Sequence, residues 1–344
     1  MKLDFSVGLG RNEPLNEIGE YSQICEQSGF SHVTWVDIPF LSPDVHVMMT
    51  LSALNTKTIK IGHGVIALST YHPMVIANGA ASINNISGGR AFIGLGPGAD
   101  FGDVYRAATV NDMRTAVTFL RKFMSGEVAD WKGAKMHSEW IGQPVPIYMA
   151  AEGPRMLELA GEVADGVISI GAQPEFVKWK MGVVAKGAEK ANRDPSDIEF
   201  WVRTMIYPTD SKEEAKLELS PYPIAYGMVQ NLLDSSNHRA YELPRILEKA
   251  YPGMVEELIA DSKQVRSVWD PYGVERLDAP WVDKVTPRLI DFFHMRGKPD
   301  EICEQIYQLG ELGVKNISPV MFTVIDKKSM IKEIGSSIIP HFRD

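Results

Sequence analysis

The feature that most constrains the fold of this chain is a regular alternation of short apolar runs with amphipathic helical patterns. Between the first two runs, Leu15, Ile18 and Tyr21 recur at helical spacing. Few hairpin signals separate the runs, which favours an α/β fold with a parallel sheet. The predicted strands are Leu3–Leu9, His32–Val36, Ile59–Ile66, Ala91–Leu95, Val145–Ala150, Gly166–Ile170, Ile198–Tyr207 and Ile317–Met321. The predicted helices include Pro14–Ser28, Val45–Leu54, Pro73–Ile86, Asn111–Ser125 and Lys327–Ile339.

We expect the eight strands to close into a (β/α)8 TIM barrel. Such a barrel takes about 250 residues, so roughly 90 of the 344 residues remain for insertions. These are predicted at about 130–142 and, between strands seven and eight, at 213–295, within one domain spanning 1–344. The longer insertion contains no predicted barrel strand and is expected to cap the active-site face. An open doubly wound sheet is the alternative, because it shows the same alternation.

The charge balance narrows the classes of partner. Acidic residues outnumber basic ones 44 to 35, giving a formal charge of −9, whereas nucleic acids and anionic membranes attract basic surfaces. No apolar stretch has the length of a membrane span, and Met1–Phe5 lacks the apolar run of a signal peptide. Cys25 and Cys303 are too few for a disulfide framework. A cytoplasmic protein with a small-molecule substrate, and neither nucleic acid nor membrane as partner, is therefore expected.

In a parallel α/β protein the chemistry lies where strands end and loops begin, so polar residues there are candidates. Asp37 follows strand two and is either a site acid or the cap of a turn before Pro39. His63 stands between two glycines of strand three, although a single histidine there is more often an interior residue. Asp100 follows strand four. These three residues are the candidate proton donors or acceptors.

Two glycine-containing turns are candidates for ligand binding. After strand four, the run Gly96, Pro97, Gly98 allows a flat ring to approach the main chain. After strand five come Ala151, Glu152, Gly153, Pro154 and Arg155, which open a helix whose free N–H groups suit a phosphate. The alternative is a routine turn with proline at the first helical position. No metal-ligand spacing, Walker loop or nucleophile elbow occurs, so no metal site is predicted.

Taken in order, several motifs resemble the bacterial-luciferase-like superfamily, and within it the branch of methylenetetrahydromethanopterin reductases, which use the deazaflavin coenzyme F420. The resemblance covers almost the whole chain. The matching segments are Asn12–Pro14, Trp35–Asp37, Gly62–Val65, Ser87–Ala91, Ile93–Gly98, Met156–Gly161, Ala164–Val167 and Gly335–Phe342.

The resemblance implies a barrel that holds F420 at the C-terminal ends of its strands. It implies a non-prolyl cis peptide between Gly64 and Val65, which supports the back of the ring, and places Asp37 near the polar edge of the ring. The turn 96–98 would lie beside the coenzyme, and the N–H groups of 151–153 would hold its phosphate. The implied activity is hydride transfer between the deazaflavin and a small organic substrate. Relatives pair through barrel helices, so a homodimer is expected.

The chain differs from the families that it resembles at residues expected to contact the substrate. Gly8 replaces a glutamate of the methanopterin reductases, while Ile38 and Ala99 replace a histidine and a glutamate of the sugar-phosphate dehydrogenases. We therefore expect a different substrate, read by the segment 213–295. The first alternative is an FMN-dependent monooxygenase, with Arg155 on the phosphate. The second is a barrel that binds a flavin-like ligand without turnover.

Overall fold

The computed structural model describes residues 1–98, 106–220, 233, 242–273, 275–322 and 326–343. Its strands form a closed parallel barrel, which confirms the predicted TIM-barrel fold. The barrel strands are β1 (Asp4–Leu9), β2 (His32–Trp35), β3 (Lys60–His63), β4 (Ile66–Ala67), β5 (Ala91–Gly96), β8 (Ile147–Ala150), β9 (Gly166–Ile170), β10 (Glu199–Thr204) and β13 (Asn316–Pro319). Since β1 pairs with β13 and β3 pairs with β5, the sheet closes on itself. The open doubly wound alternative is wrong.

Helices surround the barrel, and the sequence places their starts well. Prolines open α3, α5, α6, α10 and α11, where the missing N–H costs no helical hydrogen bond. None of the helices in the described ranges has the length and apolar composition needed to cross a bilayer. The helices are α1 (Ile18–Gln27), α2 (Val45–Asn55), α3 (Pro73–Ser87), α4 (Val110–Met124), α5 (Pro154–Val163), α6 (Pro174–Lys190), α7 (Lys212–Leu219), α8 (Glu242–Ala250), α9 (Met254–Arg266), α10 (Pro287–Phe293), α11 (Pro299–Glu311) and α12 (Lys327–Ser337).

Three predicted elements differ from the structure for local reasons. The third predicted strand divides into β3 and β4 because residues 64–65 leave the ladder. The last helix ends at Ser337 since Pro340 disfavours helical backbone before it, and a 3-10 turn follows at Ile339–Phe342. The predicted loop 130–142 contains a missed hairpin.

That hairpin joins β6 (Ala129–Trp131) to β7 (Ala134–Met136). Its two turn residues, Lys132 and Gly133, have φ angles of 52° and 92°. Positive φ at both central positions is typical of the tight turns that match strand twist. The glycine was therefore the available signal in the sequence.

A layer of aromatic side chains fills part of the barrel interior. Phe92, Tyr148 and Trp201 pack together in the lower half, and Val65 lies against them. A Cβ at Gly62 would overlap the Phe92 ring, so the glycine lets this layer form. Aromatic side chains thus fill this part of the interior, and ligands of TIM barrels bind at the C-terminal ends of the strands.

The described part of the 213–295 insertion packs on the C-terminal rim. Its described residues form the helices α7 to α10 and no barrel strand, in agreement with the prediction. The strand that follows, β12 (Met295–Gly297), pairs with β11 (Ile206–Pro208) outside the barrel. Lys327 bonds to Glu13 at 2.9 Å and to Glu275 at 3.1 Å, and all three are buried. These two ion pairs join the loop after β1, the insertion and the start of α12. Glu13 therefore has a structural role and is not available to a ligand.

Candidate functional site

The centre of the site is the 64–65 bulge, the two residues between β3 and β4. The peptide bond between Gly64 and Val65 is cis, which confirms the expectation from the resemblance. Gly64 N–H donates to the Trp35 carbonyl at 2.7 Å. Val65 projects into the barrel beside Gly96, where a Cβ would lie 2.7 Å from Val65 Cγ2. The glycine in β5 therefore allows close packing of the bulge against the neighbouring strand.

The turn Gly96–Gly98 lies directly against the loop that follows the bulge. Leu68 N–H donates to the Gly96 carbonyl at 2.9 Å, and Ala108 N–H donates to the Pro97 carbonyl at 2.8 Å. Gly98 has a φ of +83°, and a Cβ there would overlap the Ser69 hydroxyl. Both the backbone angle and the contact thus require glycine. The structure brings this turn and the bulge together into one continuous main-chain surface.

Asp37 lies at the rim beside this surface and is 6% exposed. Tyr71 donates to its Oδ1 atom at 3.2 Å, whereas the buried Oδ2 atom accepts no hydrogen bond from the described residues. Burial raises the pKa of Asp37 from 3.8 to about 6, against the lowering effect of Tyr71 and the Ala67 N–H, while Asp44 adds a smaller increase. A carboxyl group that titrates near neutrality can donate or accept a proton.

His63, the second candidate, is fully buried and faces the helix layer. Its Nε2 atom lies 3.4 Å from Nε2 of His46 on α2, and the two rings meet edge to face at 5.2 Å. Burial lowers the pKa of His63 to about 3, so the ring is neutral at pH 7. His46 and Tyr71, whose rings are 6.0 Å apart, lie between the His63 ring and Asp37. Asp100, the third candidate, lies outside the described residues.

The turn Ala151–Gly153 is held by an ion pair that the sequence interpretation missed. The Glu152 carboxylate folds back, accepts from Ile170 N–H at 2.8 Å and pairs with Lys180 of α6. Lys180 is fully buried and also donates to the Ile170 carbonyl at 2.7 Å. Burial lowers the pKa of Lys180, while Glu152 raises it. The Glu152 side chain is therefore engaged in fixing the turn, so ligand contacts there fall to the main chain.

The start of α5 is open toward solvent. A Cβ at Gly153 would meet nothing within 4 Å, Pro154 is the first helical residue, and Arg155 is exposed. This leaves space in front of the first turn, where unpaired N–H groups and the helix dipole favour an anion.

Two further residues of the site were not predicted from the sequence. Tyr71 contacts Asp37 from the loop before α3 and also lines a cavity of about 640 Å³ with Arg106 and Trp131. Arg203 of β10 reaches into the rim and donates to the Gly64 carbonyl at 2.6 Å. The signal for Arg203 in the sequence was a charged residue near the C-terminal end of a predicted strand. The sequence carried no signal for Tyr71, because the loop between β4 and α3 determines where its side chain points.

Fold and site together define a TIM-barrel protein with a main-chain surface and a buried acid at its rim, and with a glycine-containing turn at the start of α5. No three side chains of His, Cys, Asp or Glu lie together in the described ranges as a metal site would require. A sequence model of the luciferase-like monooxygenase family matches residues 2–316. The chain belongs to this family.

Individual relatives agree with this placement. The chain is 30% identical to the 5,10-methylenetetrahydromethanopterin reductase of Methanolobus tindarius, over 98% of this chain and 100% of that protein. The coenzyme F420-dependent tetrahydromethanopterin reductase of Methanopyrus kandleri shares the fold, with a TM-score of 0.77 and 22% identity over 99% of this chain and 100% of that one. The oxygenating constituent of 3,6-diketocamphane monooxygenase from Pseudomonas putida, in complex with FMN, has a TM-score of 0.64 and 19% identity over 99% of each chain.

Proposed function

We propose that this protein is a coenzyme F420-dependent oxidoreductase that transfers a hydride between the deazaflavin and a small organic substrate. The observation that supports this most is the pairing of the 64–65 bulge with the turn 96–98 beside Asp37. The full-length likeness to a methanopterin reductase, together with the fold shared with the F420-dependent reductase of Methanopyrus kandleri, favours the deazaflavin over FMN.

The residues present fit such a coenzyme. Gly64, Val65 and the turn 96–98 would support the ring, and the buried Oδ2 atom of Asp37 offers an acceptor at its polar edge. The main-chain N–H groups of Glu152 and Gly153, with Arg155 adding charge, would hold the phosphate, whereas the Ala151 N–H already donates to the Ile168 carbonyl at 3.2 Å. When bound, the coenzyme supplies the hydride chemistry, while these residues bind and orient it.

Asp37 is the proposed proton donor or acceptor for the reaction. Its raised pKa, about 6, leaves both protonation states accessible near neutrality. His63 does not share this role, because it is buried against α2 and packs with His46. Its proposed role is to support β3 behind the bulge.

We propose that the substrate differs from that of the methanopterin reductases. The glutamate that the resemblance implies would stand at Gly8, where a Cβ would lie 2.9 Å from Val320 Cγ1 and 3.5 Å from Arg203 Nη2. A longer side chain there would displace Val320. Position 8 of this chain therefore carries no carboxylate, and the Arg203 guanidinium lies beside it. The described part of segment 213–295 would form the substrate-facing cover.

The coenzyme is tested by titrating the purified protein with F420 and with FMN and following absorbance. We expect saturable F420 binding and weaker FMN binding. Reduced F420 is then offered with carbonyl compounds, imines, activated alkenes and 5,10-methylenetetrahydromethanopterin, and its oxidation is recorded. FMN binding with oxygen consumption would replace this proposal by the monooxygenase alternative, and F420 binding without oxidation of any substrate would favour a carrier.

The protein is further proposed to be a single-domain homodimer of the cytoplasm. Helices α2 and α3 contain no Asp, Glu, Lys or Arg and expose Val47, Leu54 and Val75, a face suited to a second copy. Both Cys25 and Cys303 are free thiols, as a reducing compartment favours. Light scattering of the parent and Val75→Lys proteins tests the dimer, since a lysine on this face should yield monomers.

A further inference from the structure

Arg203 connects three barrel strands at the rim. It begins on β10, and its Nη1 atom donates to the Gly64 carbonyl at 2.6 Å, while Nη2 donates to Thr34 Oγ1 of β2 at 3.0 Å. Thr34 in turn donates to the Val7 carbonyl of β1 at 3.2 Å. The side chain is 7% exposed, so these bonds form largely away from water.

We propose that Arg203 is a positioning residue, which fixes the 64–65 bulge in the place where the coenzyme ring rests. The identity of the ring rests on the proposed function, whereas the hydrogen bonds that hold the bulge do not.

The bulge needs such an anchor because residues 64–65 lie between β3 and β4, outside the regular ladder. Gly64 N–H is bound by the Trp35 carbonyl on one side. On the other side, the Gly64 carbonyl points at the guanidinium of Arg203. A hydrogen bond from a charged donor is shorter and stronger than one between neutral groups. Arg203 therefore takes the role that a neighbouring strand plays elsewhere in the barrel.

Packing below the bulge makes its position matter. Val65 lies between Gly96 and the aromatic layer of Phe92 and Trp201, so a shift of the Gly64 carbonyl moves Val65 with it. Because closely packed interiors transmit small displacements, the surface offered to a flat ligand changes too. Loss of Arg203 is thus expected to weaken coenzyme binding more than it lowers the stability of the fold.

The test compares Arg203→Met and Arg203→Lys with a matched control, Arg90→Met. Arg90 also donates to main-chain carbonyls, those of Ala53, Thr56 and Ile59, but at the opposite end of the barrel. The first readout is amide hydrogen exchange of residues 60–67 in the coenzyme-free protein, by mass spectrometry. The second is the dissociation constant of F420.

We expect faster exchange of 60–67 in Arg203→Met but not in Arg90→Met, and F420 affinity weaker by about tenfold in Arg203→Met, as loss of one charged hydrogen bond predicts. Arg203→Lys should recover part of both effects because it keeps a charged donor. Unchanged exchange in a folded Arg203→Met protein would overturn the proposal, and if that variant does not fold, unchanged exchange in Arg203→Lys and Thr34→Val would do so. If the parent binds no F420, the proposed function fails, and hydrogen exchange alone decides the role of Arg203.

Discussion

Two acidic side chains at the same end of the barrel have opposite surroundings. Glu152 accepts from Ile170 N–H and pairs with the buried ammonium of Lys180. Asp37 accepts from the Tyr71 hydroxyl at its Oδ1 atom, and its Oδ2 atom is buried without a hydrogen bond from the described residues. The charge of Glu152 is thus paired with that of Lys180, whereas burial raises the pKa of Asp37 to about 6.

The difference shows that residue type and position along the strand do not decide a role. Both acids follow a parallel strand, and both were candidates for ligand binding. The number of donors that the fold supplies separates them: a paired carboxylate fixes a turn, and an incompletely paired one keeps a site for a ligand or a proton.

The largest expected effect comes from Asp37→Asn, which removes the acid but keeps the size. If Asp37 transfers a proton, turnover should fall by about 10²–10⁴, with a much smaller change in F420 affinity. The unfolding free energy at pH 8 should stay equal or rise, because the ionised carboxylate is poorly solvated there. Steady-state kinetics, F420 titration and urea unfolding measure the three quantities. Equal losses in turnover and affinity would make Asp37 a binding residue only.

Lys180→Met should show the opposite pattern. Removing the ammonium leaves the Glu152 carboxylate without its ion partner, which costs about 3 kcal/mol or more of unfolding free energy. The double variant Lys180→Met with Glu152→Gln is the matched control, and it should recover much of that loss. Urea unfolding checks both. A loss in the single variant below about 0.5 kcal/mol, the range of ordinary surface changes, would contradict the contrast between the two acids.

The pH dependence of stability tests the raised pKa of Asp37 directly. The pKa of Asp37 is 3.8 in its ordinary state and about 6 in the folded chain, so the folded state holds the proton more tightly. The stabilisation is complete below pH 3.8 and is lost as pH rises through about 6, by about 3 kcal/mol in total. Comparing urea unfolding of the parent and Asp37→Asn proteins across this range isolates the effect.

Tyr71→Phe sharpens this test. Tyr71 lowers the pKa of Asp37, so its removal should move the midpoint of that stability change, and of the pH–rate profile, to higher pH. Tyr272→Phe, an exposed tyrosine, is the control and should move neither. A midpoint that shifts to lower pH would show that Tyr71 does not donate to Asp37.

The smallest effect is expected from Arg155→Ala. Arg155 is exposed at the start of α5, so unfolding free energy should change by less than about 0.5 kcal/mol. Its charge should strengthen F420 binding by about two- to fivefold at low salt, an effect that salt screens. F420 titration at two salt concentrations checks this, and a salt-independent loss would point to direct contact instead.

The periodicity of the sequence was sufficient for the order of strands and helices, because each element shows its own pattern of apolar residues, but it allowed an open sheet as well as the closed barrel that the strand pairing shows. Strand centres such as those of β1 and β9 agree with the prediction, and errors lie at ends and breaks. The hairpin at 129–136 was missed because its strands have only three residues each, too few for a pattern of apolar residues to show.

The sequence by itself determined that strands and helices alternate, that glycines follow several strands, and that Asp37 follows a strand. Only the tertiary structure decided what each of these residues touches. Lys180 lies 28 residues from Glu152 along the chain, and Arg203 lies 139 residues from Gly64. A local pattern records the period of an element, but hydrogen bonds between distant strands depend on barrel closure. Burial and the supply of donors, which fix whether a carboxylate titrates near neutrality, arise only then.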